Sequence, residues 1–229
     1  MTWTRTWLFA VSILVGGCAT GPYADPKDPL EPLNREIYAF NDAVDQSVAQ
    51  PVAKAYQQTI PSVVRTGIGN FFSNLGDAWS GVNALMQGKG EAGMTNIMRF
   101  TTNTVFGLGG VLDIASEMRM RRTRTDLSDT LGVWGIPSGP YVVIPLLGPS
   151  TARGVLGKIG ESHAGPVASP LSEVNGDKTR VGATVLQAVD QRARLLSVTD
   201  QLSGLALDPY SFVRDAYLQR EAQRVSPHE

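Results

Sequence analysis

The chain has 229 residues, and its 20 basic and 21 acidic residues nearly cancel. Such a balance gives no electrostatic basis for nucleic-acid binding, and the length fits one domain with short additional segments. Twenty-four glycines and fourteen prolines predict frequent breaks between elements.

The N-terminus has the layout of an exported, lipid-anchored protein. Arg5 precedes an apolar run over residues 7–15, two glycines and Cys18, the only cysteine in the sequence. The run is too short to span a bilayer and is typical of a secretory signal peptide. A cysteine directly after small residues resembles the bacterial lipoprotein arrangement, which implies cleavage after residue 17, a thioether-linked diacylglycerol on Cys18 and acylation of the new amino group. An ordinary signal peptide with a chance cysteine is the alternative.

The predicted anchor sets the location of the mature chain. Several acyl chains on one residue make membrane attachment effectively permanent. Ala19, rather than Asp, follows the cysteine, and by resemblance to enteric lipoproteins this indicates the outer membrane. Residues 18–33 are the predicted lipidated N-terminus and tether, because four prolines in this stretch disfavour a helix.

A predicted helical domain covers residues 34–224, followed by a disordered tail over 225–229. Its first helix opens at Asn34, kinks at Pro51 and continues to Pro61. Ser62 is the predicted N-cap of the next helix. That helix carries a bulky apolar stripe, which either faces the core, the favoured interpretation, or meets lipid acyl chains; its members are Ile68, Phe71, Phe72, Leu75, Trp79, Val82 and Met86.

Further helices are predicted over 91–106, over 179–202 and from Asp208, with Pro209 at its first position. Between them lies a basic cluster formed by Arg119, Arg121, Arg122 and Arg124. The cluster is either part of a solvated loop or a contact for lipid phosphates or an acidic partner surface.

An apolar segment over residues 132–149 is rich in glycine and proline. Irregular backbone at membrane depth is tolerated only where protein covers it or it faces a watery cavity. The segment is therefore either a short β-hairpin packed under the domain or a loop that borders a lipid passage. The second interpretation is favoured, with Trp134, Tyr141, Pro145, Leu147 and the nearby Arg153 as its candidate residues.

The sequence offers no convincing catalytic or metal site. It has two histidines, no second cysteine and no Gly-x-Ser-x-Gly motif, so a zinc centre or a catalytic triad is not expected. We therefore expect no enzyme activity and no cofactor.

Short motifs in a fixed order connect the chain to a known family. They are Asp28-Pro29-Leu30-Glu31, Asn34-Arg35, Phe40-Asn41, Asn70-Phe71-Phe72-Ser73-Asn74-Leu75, Gly109-Gly110-Val111-Leu112-Asp113, Thr130-Leu131-Gly132-Val133-Trp134-Gly135, Gly139-Pro140-Tyr141, Gly148-Pro149-Ser150-Thr151-Ala152-Arg153, Asp208-Pro209-Tyr210 and Arg214. Behind a lipoprotein cysteine, this series resembles the MlaA (VacJ) family of outer-membrane lipoproteins.

The resemblance implies an all-α, ring-like arrangement of amphipathic helices with Gly/Pro-rich loops and room for one short hairpin. It implies a lipid-anchored protein in the periplasmic leaflet of the outer membrane. There, an amphipathic channel would pass phospholipids from the outer leaflet to a periplasmic carrier that feeds an inner-membrane ABC complex, which maintains lipid asymmetry. The implied membrane partner is a trimeric porin. A structural lipoprotein that braces a porin or the envelope is the alternative function.

Overall fold

The computed structural model describes residues 25–165, 167–168, 176–202 and 207–226. The predicted signal peptide (1–17), Cys18 and Ala19 lie outside these ranges, as do residues 227–229 of the predicted tail. In the described ranges, no helix is both long enough and apolar enough to cross a bilayer.

The first helical arm consists of helix α1 (Glu31–Val44), a π-helical turn (Asp45–Ala49) and helix α2 (Gln50–Thr59). The widened turn lies directly before Pro51, where the proline ring would crowd the carbonyl four residues earlier. The sequence predicts a tether that extends to residue 33. In the structure the helix instead begins at Glu31, because Pro32 is compatible with a first helical turn.

Helices α3 (Ser62–Met86) and α4 (Gly90–Val105) form an antiparallel pair. Glycine permits their close approach: a Cβ at Gly81 would lie 3.2 Å from the carbonyl oxygen of Gly93, and one at Gly93 would lie 3.1 Å from that of Gly81. Small residues at such a crossing are typical of helix pairs in membranes. The predicted N-cap at Ser62 is wrong, since Pro61 is the N-cap and no side chain caps this helix.

A short helix α5 (Ile114–Glu117) and helix α6 (Leu127–Val133) lead to strands β1 (Tyr141–Ile144) and β2 (Gly148–Thr151). The strands form an antiparallel hairpin in which Tyr141 pairs with Thr151. The hairpin interpretation of residues 132–149 is therefore confirmed for its second half. Leu146 lies in the turn with a positive φ of 63°.

Helices α7 (Ala152–His163), α8 (Asp177–Leu202) and α9 (Pro209–Val225) complete the described fold. Asp208 caps α9, as predicted, by accepting a hydrogen bond from the backbone N–H of Ser211. Val225, assigned to the tail by the prediction, is the last residue of α9, and Ser226 is its C-cap.

The contacts between elements form a closed circuit. Helix α1 connects through the π-helical turn to α2, which contacts α8; α8 contacts α3, and α3 contacts α6. Helix α6 contacts α7, α7 contacts β2, and β1 contacts α1. Helix α9 packs on α6 and β2. The predicted all-α, ring-like fold with one short hairpin is confirmed.

The polarity of the helix pair α3–α4 is inverted relative to a water-soluble protein. Its buried side chains are mostly polar: Asn74, Asp77, Ser80, Asn83, Asn96, Arg99 and Asn103. Large apolar side chains are exposed instead, among them Phe71, Leu85, Met86, Met94, Met98, Val105 and Phe106. The stripe on α3 is not part of a core as predicted: Phe71 and Met86 are exposed, and its other five members are only partly buried.

Candidate functional site

A buried charge network joins α3, α4 and the segment that follows them. Arg99 lies 3.3 Å from Asp77 and 2.9 Å from Asp113, and its side chain is fully buried. Arg122 reaches the same two carboxylates, at 2.8 Å and 3.4 Å. Two guanidinium groups thus neutralise two carboxylates away from solvent, as buried charges require.

Polar side chains of α3 and α4 also satisfy the irregular backbone beneath them. Asn96 donates to the carbonyl of Thr123 at 2.6 Å and accepts from the N–H of Thr123 at 3.1 Å. Asn103 accepts from the N–H of Ala115 at 2.8 Å, and Ser80 donates to the carbonyl of Thr125 at 2.9 Å. The irregular backbone is therefore hydrogen-bonded and covered by protein. Only irregular backbone in this state is tolerated at membrane depth.

The four predicted arginines do not act as one patch. Arg122 belongs to the buried charge network. Arg119 and Arg121 are exposed, and Arg119 has a positive φ of 60°. Arg124 lines two cavities, described below. The structure therefore separates a structural arginine from three that remain candidates for contact with a lipid phosphate.

The candidate passage residues also divide into two groups. Trp134, Pro145 and Leu147 are exposed, and Trp134 donates its indole N–H to the carbonyl of Met86. Tyr141 is fully buried in a cluster with Tyr210. Arg153 is also buried, where it pairs with Glu221 at 3.1 Å.

Tyr141 and Arg153, the two buried candidates, hold the hairpin in position and do not form the wall of a passage. The ring of Tyr141 packs edge-on against Tyr210 and Tyr217, with centroids 6.3 Å and 6.1 Å away. Burial raises the pKa of Tyr141 well above its ordinary value. Arg153 donates to the carbonyl of Ile136 at 2.8 Å and so holds the segment before the hairpin.

The N-terminal motif anchors the hairpin to the ring. Asn34 is buried and donates to the carbonyl of Tyr141 at 3.1 Å, while it accepts from the N–H of Val143 at 2.8 Å. It also donates to Asp28, which accepts from the hydroxyl of Tyr210. Two turns further along α1, Asn41 donates to the carbonyl of Ile144 at 3.0 Å and accepts from the N–H of Leu146 at 2.7 Å.

Three neighbouring cavities in the described part of the fold share lining residues. The α3–α8 cavity, of 310 Å³, lies between Gly69 to Ser80 and Gln187 to Arg194. The α7–α9 cavity, of 550 Å³, is lined by α7 and α9, with Leu147 of the hairpin turn at its edge. The basic cavity, of 840 Å³, lies between the start of α4 and residues 121–125.

Sequence reasoning missed Arg224 in α9, the residue that links these cavities. Its side chain lines all three, although it lies about a hundred residues from Arg124 in the chain. Arg224 approaches two carboxylates of α6, at 3.4 Å from Asp126 and 3.3 Å from Asp129. Burial, and then the negative charge of Asp126, raise the pKa of Asp129 above its ordinary value.

These surfaces combine charged cavities with an apolar exterior. Within the described residues, no cluster of His, Cys, Asp and Glu has a composition that could hold a metal ion. What the arrangement can do chemically is to accommodate an amphiphile, with acyl chains against apolar side chains and a charged head group against the cavity walls.

Comparison with known proteins identifies close relatives. A family model described as MlaA lipoprotein matches residues 26–224. The intermembrane phospholipid transport system lipoprotein MlaA of Escherichia coli (strain K12) is 36% identical over 214 residues, which cover 91% of this chain and 83% of the relative. The protein of the same name from Haemophilus influenzae is 33% identical over 226 residues, which cover 94% of this chain and 88% of the relative.

A solved structure is similar over most of the fold. It comes from a study of the structural basis for maintenance of bacterial outer membrane lipid asymmetry, and it is 35% identical with a TM-score of 0.76. The match covers 87% of this chain and 99% of that chain.

Proposed function

The chain belongs to the MlaA lipoprotein family, and we propose that it passes phospholipids from the outer leaflet of the outer membrane, through its ring, to a periplasmic carrier. Its function in the cell is phospholipid transport that maintains outer-membrane lipid asymmetry. Energy for the transport comes from an inner-membrane ABC complex fed by the carrier.

The inverted polarity of α3 and α4 carries this proposal. A lipid-facing exterior explains why Met94, Met98 and Phe106 are half exposed or more while Arg99 is fully buried. Without water, every interior polar group must find a partner within the protein, as the buried charge network does. A water-soluble domain would gain nothing from this arrangement, because burial of apolar surface is its main source of stability.

The exposed apolar faces and the predicted anchor together favour a disc-shaped protein that lies within one leaflet of the membrane. The ring exposes apolar helix faces but has, in its described part, no helix that could cross the bilayer. Acylation of Cys18 would hold the ring at the periplasmic leaflet of the outer membrane. A trimeric porin beside the ring is the proposed membrane partner, since such a barrel would carry the outer-leaflet end of the route.

The passage we propose runs past the exposed turn of the hairpin and the charged cavity walls. The α7–α9 cavity is lined by apolar Leu147 and Pro149 and by charged groups of both signs, among them Lys158 and Glu161. A phospholipid needs both kinds of surface. Arg119, Arg121 and Arg124 are the proposed contacts for its phosphate group.

The function is tested by analysis of outer-leaflet lipids in cells that lack the family member and are complemented with this chain. Phospholipid should accumulate in the outer leaflet without the chain and return to its normal level with it. Unchanged accumulation after complementation, with the protein correctly located, would contradict the proposal and favour a structural brace.

A further inference from the structure

Charge is distributed unequally among the three cavities. The basic cavity is lined by five basic side chains and one acidic side chain; the basic residues are Lys89, Arg121, Arg122, Arg124 and Arg224, and the acidic residue is Glu91. The α3–α8 cavity is balanced, with Asp77, Asp126 and Asp190 against Arg124, Arg194 and Arg224. An anionic group is therefore attracted to the basic cavity first.

Arg224 is placed to contact an anion in the basic cavity and in both neighbouring cavities, because it lines all three. It remains 29% exposed. Its distances to Asp126 and Asp129, 3.4 Å and 3.3 Å, lie beyond the range of strong charge-assisted hydrogen bonds. Within the described residues both contacts use Nη1, so Nε and Nη2 remain for another acceptor.

The two carboxylates do not depend on Arg224 for their hydrogen bonds. Asp126 accepts from the N–H of Asp129 at 3.0 Å, and Asp129 accepts from the N–H of Asp126 at 3.2 Å, which together form a capping box. Asp129 also accepts from the hydroxyl of Thr125 at 3.2 Å. The guanidinium group can therefore turn towards a ligand while both carboxylates keep these hydrogen bonds.

We propose that Arg224 binds the phosphate of the lipid head group where the basic cavity meets the ring interior, and so determines that the passage selects lipids that carry a phosphate. This inference rests on the proposed function. A planar guanidinium group matches two phosphate oxygens bidentately, which a lysine ammonium group does not do. Lys89 and Arg124 supply the surrounding positive charge.

The test uses the full lipoprotein in detergent and two lipids with the same fluorescent acyl chain, phosphatidylethanolamine and diacylglycerol, which lacks the phosphate. The unsubstituted protein should bind phosphatidylethanolamine about tenfold more tightly, as expected for one charge-assisted contact. Arg224→Gln should abolish this preference without changing the affinity for diacylglycerol, and Arg224→Lys should restore part of it.

Arg220→Gln is the matched control, because Arg220 lies one turn earlier on α9 and lines the α7–α9 cavity but not the basic cavity. It should keep the preference, and circular dichroism should show both variants folded at the temperature of the binding measurement. A preference that survives Arg224→Gln, or one that is lost equally in Arg220→Gln, would overturn the proposal.

Two further outcomes separate this proposal from the function on which it rests. If the unsubstituted protein binds neither lipid, the proposed passage itself fails. If it binds both lipids equally but binds inorganic phosphate in an Arg224-dependent way, the site belongs to a free anion; lipid passage then stands, and the head-group assignment is overturned.

Discussion

The guanidinium group of Arg99 lies 3.3 Å from the carboxylate of Asp77, and both side chains are buried between two helices whose outer faces are apolar. Asp113 and Arg122 complete this charge network. Its position explains how α3 and α4 pair without an apolar core between them. Glycine permits the close approach, and the charges and amides make the contacts.

Arg99→Leu should destabilise the protein strongly. The substitution leaves Asp77 and Asp113 with fewer partners in a buried site, and loss of one member of a buried pair costs about 3–5 kcal/mol. Unfolding in detergent measures this free energy. Arg119→Leu, at an exposed position nearby, is the control and should change the stability by less than about 0.5 kcal/mol. Equal stability of the two variants would show that the buried charges do not hold the helix pair together.

The stripe on α3 shows what helical periodicity can and cannot predict. The spacing of Phe71, Leu75 and Trp79 correctly predicts a helix with one apolar face. It does not say whether that face meets protein or lipid, since both media are apolar. The other face of the helix carries a polar pattern that the sequence already shows, with Asn74, Asp77 and Ser80 at helical spacing. All three are buried in the structure. A buried polar face indicates that the apolar face of the same helix does not pack in a core.

Asn41→Leu should release the turn of the hairpin. Asn41 makes two hydrogen bonds to the backbone around this turn, to Ile144 and Leu146, and leucine can make neither. Hydrogen exchange at the Leu146 amide should therefore accelerate, whereas amides of α4 should be unaffected. Asp42→Asn is the control, since the Asp42 carboxylate accepts from Gln46 in the π-helical turn and does not contact the hairpin. Unchanged exchange at Leu146 in Asn41→Leu would show that other contacts hold the turn.

Phe106 at the end of α4 should lie among acyl chains. It is 71% exposed and belongs to a group of exposed apolar side chains on α4 that includes Met98 and Val105, and such a group indicates an apolar environment. A fluorophore on Phe106→Cys should be quenched by lipids with spin-labelled acyl chains, and one on Lys54→Cys, an exposed charged position on α2, should not. Equal quenching at both positions would contradict a lipid-facing α4.

Cys18→Ala tests the anchor, whose residues lie outside the described ranges. Without the thiol, no diacylglycerol can be attached, and we expect an uncleaved precursor that fails to restore outer-leaflet lipid composition. Mass spectrometry of the mature N-terminus and fractionation of the membranes check both points. A cleaved, fully active variant in the soluble fraction would show that acylation is dispensable.

The candidate site was only partly accessible from the sequence. Leu147, a predicted passage residue, and Arg124, a predicted head-group or partner contact, both line cavities, and unusual local composition marks both in the sequence. Tyr141 and Arg153 carry the same local signal but serve the packing of the hairpin. Arg224 has no local signal at all, since its importance arises only when the ring brings the end of α9 against Asp126 and Asp129.

The most direct test of the ring as a lipid passage is photo-crosslinking in detergent with one added phospholipid. A photoreactive amino acid at Leu147, which is 68% exposed and lines the α7–α9 cavity, should capture the phospholipid. The same group at Phe106, equally exposed but on the outer face, should capture little, because detergent covers that face. Capture at Phe106 equal to that at Leu147, or capture of protein alone at Leu147, would contradict passage through the ring.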